Sequence, residues 1–234
     1  MITFTHYQNP IKPMETPTIY KAHIITPKLN LIDMNLEYRD LLTYITIRSF
    51  LNSKTKECYP SQRTIAKTSG LSLNFIVDSI TRLKAAGLIT VQTGNERVSS
   101  RYSFSAVTEF TGIPTTILSE NSLTPTEKAI LVSIRRYFWD SKLETTELMG
   151  SIAKYIGVSY STLYKHYKAL EEKGYIVAHV MRNFHGNTDF VTSLTDKFDW
   201  RITKLEEKVE AHATEIEILK LKVEELTKLV MKAA

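Results

Sequence analysis

The sequence predicts a mainly α-helical fold with small β-hairpins, in which one unit occurs twice and a coiled-coil helix follows. The first observation is self-similarity, because residues 36–89 return at 123–176 with a constant offset of 87 residues and no gap. The second is a heptad pattern of apolar residues beyond residue 200. With 234 residues, 43% of them apolar, the chain is long enough for each unit to bury its own core.

Each unit is predicted to begin with a helix. In the first unit the apolar residues of about 36–51 follow helical spacing. In the second unit the helix starts at Thr124, where Pro125 suits the first turn and Glu127 completes a capping box.

A second and a third helix follow, joined by a tight turn. The second helix covers about 61–68 and ends at Gly70, which takes the left-handed conformation at low cost. Ser72 and its counterpart Ser159 cap the third helices. Each third helix carries one apolar stripe, which leaves the opposite face free for a ligand. The stripes consist of Leu73, Ile76, Ile80 and Leu83 in the first unit and Tyr160, Leu163, Tyr167 and Leu170 in the second.

A β-hairpin completes each unit. After Gly87 and Gly174 the chain turns to β-branched and aromatic residues, and in the first unit strands over 89–91 and 98–104 enclose a polar turn. Gly186 marks the corresponding tip in the second unit. Two helices meeting through a short turn, with a hairpin beside them, predict a winged helix-turn-helix, whose last helix enters the major groove of DNA.

Four segments carry a resemblance to a known family: the run 59–66 (YPSQRTIA), 70–72 (GLS), 83–89 (LKAAGLI) and 100–102 (SRY). They resemble the winged helix-turn-helix domains of phage and plasmid replication initiators and replisome organisers. The resemblance covers about 20–105, extends only to the helix-turn-helix core of the second unit, and does not include the coiled coil. It implies double-stranded DNA as the partner, although the same fold also serves transcriptional repressors and partition proteins.

DNA contacts of the first domain are expected from the start of the second helix, the free face of the third helix and the hairpin. The candidates are Ser61, Gln62, Arg63, Asn74, Asp78, Arg82, Arg97 and Arg101. Asp78 suits DNA binding least, because phosphates repel its carboxylate. The carboxylate can, however, accept a hydrogen bond from the amino group of cytosine. The alternatives are that Arg97 and Arg101 are ordinary solvated charges and that Phe75 packs against the preceding helix.

The second domain offers the better DNA-binding face on sequence grounds, because its third helix carries lysines and hydroxyl groups. The candidates on that helix are Ser161, Thr162, Tyr164, Lys165 and Lys168, and the candidates on the hairpin are Arg182 and His185.

The C-terminal heptads predict a parallel coiled-coil homodimer, because β-branched residues dominate position a and leucine dominates position d. The a positions are Ile202, Val209, Ile216, Val223 and Val230, and the d positions are Leu205, His212, Leu219 and Leu226. Ile218, Leu221 and Leu229 lie off this seam, so a higher oligomer or packing on another protein stays open. His212 is interpreted as a polar residue that sets the register, with a pH sensor as the alternative.

The segments fall into five regions. They are a flexible N-terminal arm at 1–18, a first winged helix-turn-helix domain at 19–107, a linker at 108–122, a second such domain at 123–195 and a coiled-coil helix at 196–234. The linker is short and polar, so the two domains are expected to move relative to one another. Tyr20 to Ile25 is expected to add a strand to the first domain.

Composition excludes several classes of protein. The net charge of +5 lies mainly in the first unit and suits a polyanion, though charge alone is weak evidence. One cysteine, Cys58, cannot form an internal disulfide, and no apolar run is long enough for a membrane span, so we expect a cytoplasmic protein that does not contact membranes. No nucleotide-binding or catalytic motif occurs, and His166, His179 and His185 lack metal-ligand spacing. We therefore expect no cofactor, no metal and no enzymatic activity.

The function predicted from the sequence is sequence-specific binding of double-stranded DNA by a dimer, in replication initiation or transcription regulation of a phage, plasmid or similar element. Replication or partition proteins are further candidate partners. Two alternatives stay open, namely an adaptor that uses its winged helices for protein contacts and a partition protein that binds centromere repeats.

Overall fold

The computed structural model of the chain describes residues 23–93, 100–106, 108–139, 141–182, 188–201, 215–216 and 218–228. Its helices are α1 (Tyr38–Ser49), α2 (Gln62–Ser69), α3 (Leu73–Ala85), α4 (Thr116–Ser119), α5 (Pro125–Ile134), α6 (Met149–Ile156) and α7 (Tyr160–Glu172), with a 3-10 turn at Arg135–Tyr137. Its strands are β1 (His23–Pro27), β2 (Glu57–Cys58), β3 (Ile89–Gln92), β4 (Arg101–Phe104), β5 (Phe110–Pro114), β6 (Glu144–Thr145), β7 (Ile176–Arg182) and β8 (Thr188–Leu194). The predicted arm at 1–18 lies outside the described residues.

Serines cap two helices of the first unit, and of these Ser72 was predicted from the sequence. The Ser61 hydroxyl accepts a hydrogen bond from the Thr64 N–H at 3.1 Å, and α2 ends at Gly70 with φ +74°. Ser72 caps α3 by accepting from the Phe75 N–H at 3.3 Å. These bonds use backbone donors that a helix start leaves free, so they fix where each helix begins.

The apolar stripe of each third helix is buried except at its first residue. Ile76 and Leu83 are fully buried in α3, and their counterparts in α7 are equally enclosed. Leu73 and Tyr160, which the pattern placed on the stripe, are 40% and 57% exposed. Each is the first residue of its helix, where the side chain extends beyond the elements packed against the later turns.

The same order of elements occurs in both halves of the described chain. Helices α6 and α7 begin and end 87 residues after α2 and α3, and β6 follows β2 at the same offset. Each half holds a three-stranded antiparallel sheet, with the orders β2-β4-β3 and β6-β8-β7. The short strands β2 and β6 were missed in the sequence, because two residues show no alternation.

The expected linker is part of the packed core, which corrects the sequence prediction. Residues 108–122 contain β5 and α4, and Ile113 and Ile117 within them are fully buried. Strand β5 pairs with β1, so the strand expected near Tyr20 to Ile25 joins β5 rather than the sheet of the first unit. The sequence of this segment resembles a loop, because its few apolar residues are scattered among threonine, glycine and proline. It nevertheless forms a strand, because β1 and β5 satisfy each other's backbone hydrogen bonds.

Strands β1 and β5 are themselves equivalent under the offset of 87 residues, and their pairing is symmetric. Ile25 lies opposite Gly112, its own counterpart, and His23 lies opposite Pro114. Helix α1 likewise packs against its counterpart α5. An interface in which each element meets its own equivalent is that of a two-fold dimer, so the two halves form a pseudo-two-fold pair within one chain.

Each half buries an acidic residue at the start of its first helix. Asp40 is fully buried and is held by Arg82 of α3, whereas its counterpart Glu127 accepts from Lys173 at 2.7 and 2.9 Å. Burial raises the pKa of Glu127, but the hydrogen bonds from Lys173 and Thr124 outweigh it, so the pKa is lowered overall. The cation lies one helical turn further along in the second half, but in both halves a buried carboxylate at the start of the first helix is paired with a cation of the third helix or its C-cap.

The end of the second unit also differs from the sequence prediction. Phe198 and Trp200, which the heptad boundary placed in the coiled-coil helix, are buried against the second unit. The Phe198 ring stacks on Tyr175 at 5.2 Å, and buried Arg135 donates to the Trp200 carbonyl at 3.4 Å. Helical structure is described at 215–216 and 218–228.

Alanine substitution of two equivalent glycines tests how closely the two halves pack together. Gly70 and Gly157 both have φ +74°, but a Cβ on Gly70 would meet Pro125 Cγ at 2.7 Å, whereas a Cβ on Gly157 would lie 3.9 Å from its nearest neighbour. We expect Gly157→Ala to cost about 1 kcal/mol from backbone strain alone, and Gly70→Ala to cost clearly more. Chemical denaturation of both variants measures the difference, and equal losses would contradict the close packing at Pro125.

Candidate nucleic-acid interface

The start of α2 is an exposed polar surface. Ser61, Gln62 and Arg63 are all exposed, and the hydroxyl of Ser61 is occupied by its capping bond. Within the described part of the chain, the Arg63 side chain makes no ion pair or hydrogen bond. Free N–H groups and the helix dipole attract anions at such an end, so this surface suits a phosphate.

The free face of α3 carries few charged groups. Asn74, Val77, Asp78 and Thr81 are exposed, and the Thr81 hydroxyl donates to the Val77 carbonyl at 3.1 Å. Asn74 is the second residue of the helix, the part of a recognition helix that reaches base edges. Its amide can form two hydrogen bonds with adenine.

Arg82, a predicted DNA contact, is only 24% exposed and is paired with acidic residues of α1 and its cap. Its Nε and one terminal nitrogen both donate to Asp40 at 2.8 Å, and Glu37 lies 3.4 Å away. These hydrogen bonds raise the pKa of Arg82, which stays charged. The guanidinium is therefore held against α1 by its buried partner, which makes it less available to DNA.

Phe75 packs against arginine side chains of α1 and α3, rather than against the preceding helix α2 as the alternative interpretation had it. The guanidinium carbon of Arg39 lies 4.3 Å from the ring centroid, and that of Arg82 lies 5.1 Å from it. The ring therefore sits between α1 and α3 with two cations against it, an arrangement favoured by the ring quadrupole.

Arg101 lies on β4 opposite Gln92, in the pair of the first hairpin that is nearest the loop. Its guanidinium lies 3.3 Å from Glu57 and 5.4 Å from the ring centroid of Tyr59. Tyr59 donates to Glu57 at 2.7 Å, which raises the pKa of Tyr59. The sequence analysis missed Tyr59 as part of this surface, although it is 47% exposed and adjoins the start of α2. Arg97 lies outside the described residues.

The candidate DNA contacts on α7 differ in whether their polar groups already have partners. Thr162 and Ser161 place their hydroxyls 2.8 and 3.0 Å from the capping hydroxyl of Ser159. Lys165 is exposed, whereas Lys168 is paired with Glu171 at 2.7 Å, which raises the pKa of Lys168. Arg182 ends β7, and His185 lies outside the described residues.

Tyr164 is 46% exposed and stacks on Tyr160 with ring centroids 6.1 Å apart. The start of α6 is apolar as well. Its cap position is Leu148, which forms no side-chain cap and is 69% exposed, and Met149 and Gly150 follow. At the equivalent positions the first unit has serine, glutamine and arginine. The first unit thus has the better surface for phosphate, in contrast to the sequence-based expectation for α7.

Comparison with known proteins identifies the first unit. Residues 35–89 match the model of a helix-turn-helix domain family, a stretch that runs from just before α1 to the start of β3. This part of the chain is a helix-turn-helix domain, of a class associated with DNA binding. No curated protein matches the chain.

The described residues hold no group of three or more histidine, cysteine, aspartate or glutamate side chains that could bind a metal ion. Burial raises the pKa of Cys58 to about 12, so its thiol is a core group rather than a nucleophile. No helix in the described ranges is both long and apolar enough to cross a membrane.

Proposed function

We propose that the protein binds double-stranded DNA in a sequence-specific manner and has no enzymatic activity. The observation that carries the proposal is the helix-turn-helix domain at 35–89, with its exposed polar start of α2 beside the exposed face of α3. In this proposal Arg63 contacts phosphate and Asn74 contacts a base edge in the major groove. Arg101 lies on the neighbouring hairpin and supplies a second positive charge.

The second unit is proposed to contact DNA through α7, with Lys165 as its principal cation. A pseudo-two-fold pair presents its two third helices in opposite directions along one duplex. The target would therefore consist of inverted half-sites. Because α3 and α7 expose different side chains, the two half-sites would differ in sequence.

Selection from random duplexes, followed by sequencing of the bound fraction, tests this arrangement. The proposal expects enrichment of two inverted, non-identical half-sites. Two copies of one motif in direct repeat would contradict the pseudo-two-fold arrangement, and several regularly spaced sites would support the partition alternative. Absence of enrichment with retained binding would contradict sequence specificity.

The C-terminal helix is proposed to form a parallel coiled-coil homodimer. Ile216, Leu219, Val223 and Leu226 are 53–61% exposed in the described helix. A second helix that covers this row would remove its apolar surface from water, and that burial would stabilise the dimer. The other seam positions lie outside the described residues.

A charge placed in the seam should dissociate the dimer. We expect Leu219→Asp with Leu226→Asp to reduce the mass in sedimentation equilibrium from about twice the chain mass of 26.8 kDa to that mass. Leu221→Asp is the matched control, because Leu221 is 61% exposed but lies off the seam. Equal dissociation by the control, or a monomeric wild type, would contradict the assigned seam.

A role in replication initiation or transcription regulation of a mobile element is proposed on the resemblance of the first domain alone. The adaptor alternative draws support from the apolar surface of the second unit. It expects no binding to duplex DNA at low salt, so the binding assay separates the two functions.

A further inference from the structure

The second unit has a groove along the open edge of its sheet. In the described part of the chain β7 pairs with β8 alone, so its other side is an edge. A groove of about 600 Å³ lies between β7, α7 and the start of α6. Leu148, Tyr160, Val180 and Phe190 line it and are all more than half exposed. Exposed apolar side chains beside an open strand edge are typical of a surface that binds another segment.

The edge of β7 offers backbone groups to such a segment. The N–H of Ala178 points away from β8, since it donates to the Glu171 carboxylate at 3.4 Å. Alternate N–H groups of a strand point to the same side, so the N–H of Val180 also points away from β8. The groove is lined by titratable side chains as well, namely Glu147, Lys168, Glu171 and His179. A suitable occupant therefore pairs with the edge through its backbone and has one apolar and one polar face.

The first unit lacks the exposed apolar side chains of this groove, so the fold does not require them. Ser61 is the cap residue where α6 has Leu148. In the register of the two sheets, Ser100 takes the place of Phe190. The apolar groove is therefore interpreted as a feature of binding rather than of folding.

The chain itself contains a segment of the required kind. Residues 1–22 lie outside the described part, and the run 2–7 (ITFTHY) consists of β-branched residues, aromatic residues and one histidine. Apolar Ile2 and Phe4 alternate with Thr3 and Thr5. Such alternation is typical of a strand with one apolar face. The hydroxyl groups of its other face suit the polar side chains that line the groove.

The described chain begins close to β7. Nε2 of His23 donates to the Asp199 carbonyl at 2.7 Å. The neighbouring Phe198 stacks its ring on Tyr175, which directly precedes β7. Residues 8–22 connect the run 2–7 to His23, and a linker of that length extends to about 50 Å. The run 2–7 can therefore reach the groove of its own chain.

We propose that residues 2–7 pair with the open edge of β7 in the same chain and place Phe4 in the groove against Phe190. The open edge, the apolar groove, the alternating sequence and the position of His23 support this arrangement together. The apolar surface from which the adaptor alternative draws support is then covered within the chain itself. The inference does not rest on the proposed DNA binding.

Hydrogen exchange of the full-length protein, measured by NMR, tests both sides of this contact. We expect slow exchange for the amides of 2–7 and for the amide of Val180 in the wild type. Phe4→Asp should speed the exchange of both about 10-fold or more, because it removes a buried phenylalanine from the contact. Ile11→Asp is the matched control, because it makes the same kind of change in the linker, and it should alter neither.

A second variant tests the groove. Phe190→Ser should speed the exchange of 2–7 as Phe4→Asp does, and the two changes combined should add little, since both remove one contact. The proposal is overturned if residues 2–7 of the wild type exchange as an unstructured chain, if Phe4→Asp and Ile11→Asp act alike, or if Phe190→Ser leaves the exchange of 2–7 unchanged.

The seam variant Leu219→Asp with Leu226→Asp separates docking within one chain from docking between two copies. Retained protection of 2–7 in this variant supports docking within one chain. Lost protection would place the segment on a second copy and contradict the proposal. None of these results depends on DNA.

Discussion

Arg82→Met is expected to lower the free energy of unfolding by about 3 kcal/mol, because it leaves the carboxylate of Asp40 buried without its cation. Asp40 is fully buried and receives two hydrogen bonds of 2.8 Å from Arg82, whose side chain is only 24% exposed. Methionine retains most of the apolar stem, so the loss reports mainly the uncompensated charge. Urea denaturation followed by circular dichroism measures it.

Lys168→Met is the matched control for this experiment. Lys168 also pairs with an acid at 2.7 Å, but its side chain is 51% exposed and that of Glu171 is 32% exposed. Such a surface pair contributes about 0–1 kcal/mol. Asp40→Asn in the Arg82→Met background should recover part of the loss, because it removes the buried charge and keeps an acceptor for the Glu37 N–H. A loss for Arg82→Met no larger than that of the control would return Arg82 to the candidate DNA contacts.

Asn74→Ala is expected to weaken binding to the selected duplex about 10- to 100-fold, because one bidentate base contact contributes about 1–3 kcal/mol of discrimination. Binding to unrelated duplexes should change little, since a base contact adds nothing to the sequence-independent affinity. Fluorescence anisotropy with both duplexes measures the two effects.

Thr81→Ala is the control on the same face of α3. Thr81 is exposed, and its hydroxyl is already bonded to the helix backbone, so the change should leave both affinities close to those of the wild type. If Asn74→Ala binds the selected duplex as the wild type does, or loses affinity equally for every duplex, then Asn74 does not read a base. The assignment of α3 as recognition helix would then fail.

Local signals made much of the first unit predictable. Ser72 caps α3 as the sequence predicted, and Gly70 ends α2 in the left-handed conformation. Each of these features depends on residues within four positions along the chain, so it can be recognised without knowledge of the fold. The constant offset likewise predicted the second copy of α2 and α3.

Contacts between distant residues were not predictable in this way. Strand β5 consists of residues typical of a loop, and it is a strand because β1 lies beside it. Arg82 was assigned to DNA because helical spacing placed it near the free face, whereas Asp40, 42 positions earlier, holds its guanidinium against α1. In both cases the partner that determines the structure is distant in the sequence, so no local pattern reveals it.

The same limit applies to the comparison of the two units. The sequence favoured α7, because lysines and hydroxyl groups lie on its free face. In the structure the surroundings of α7 include Tyr160, Tyr164 and the apolar start of α6, whereas α2 begins with exposed polar residues. The symmetry of the fold therefore does not extend to its surfaces.

A salt titration of full-length protein binding to duplex DNA, with the wild type and Arg63→Ala measured side by side, tests directly whether the protein binds DNA through these contacts. We expect the logarithm of the binding constant to fall linearly with the logarithm of salt concentration, with a slope near −0.9 for each phosphate contacted, and Arg63→Ala to make the slope shallower by about one. Absence of duplex binding even at low salt would contradict the proposed function and favour the adaptor.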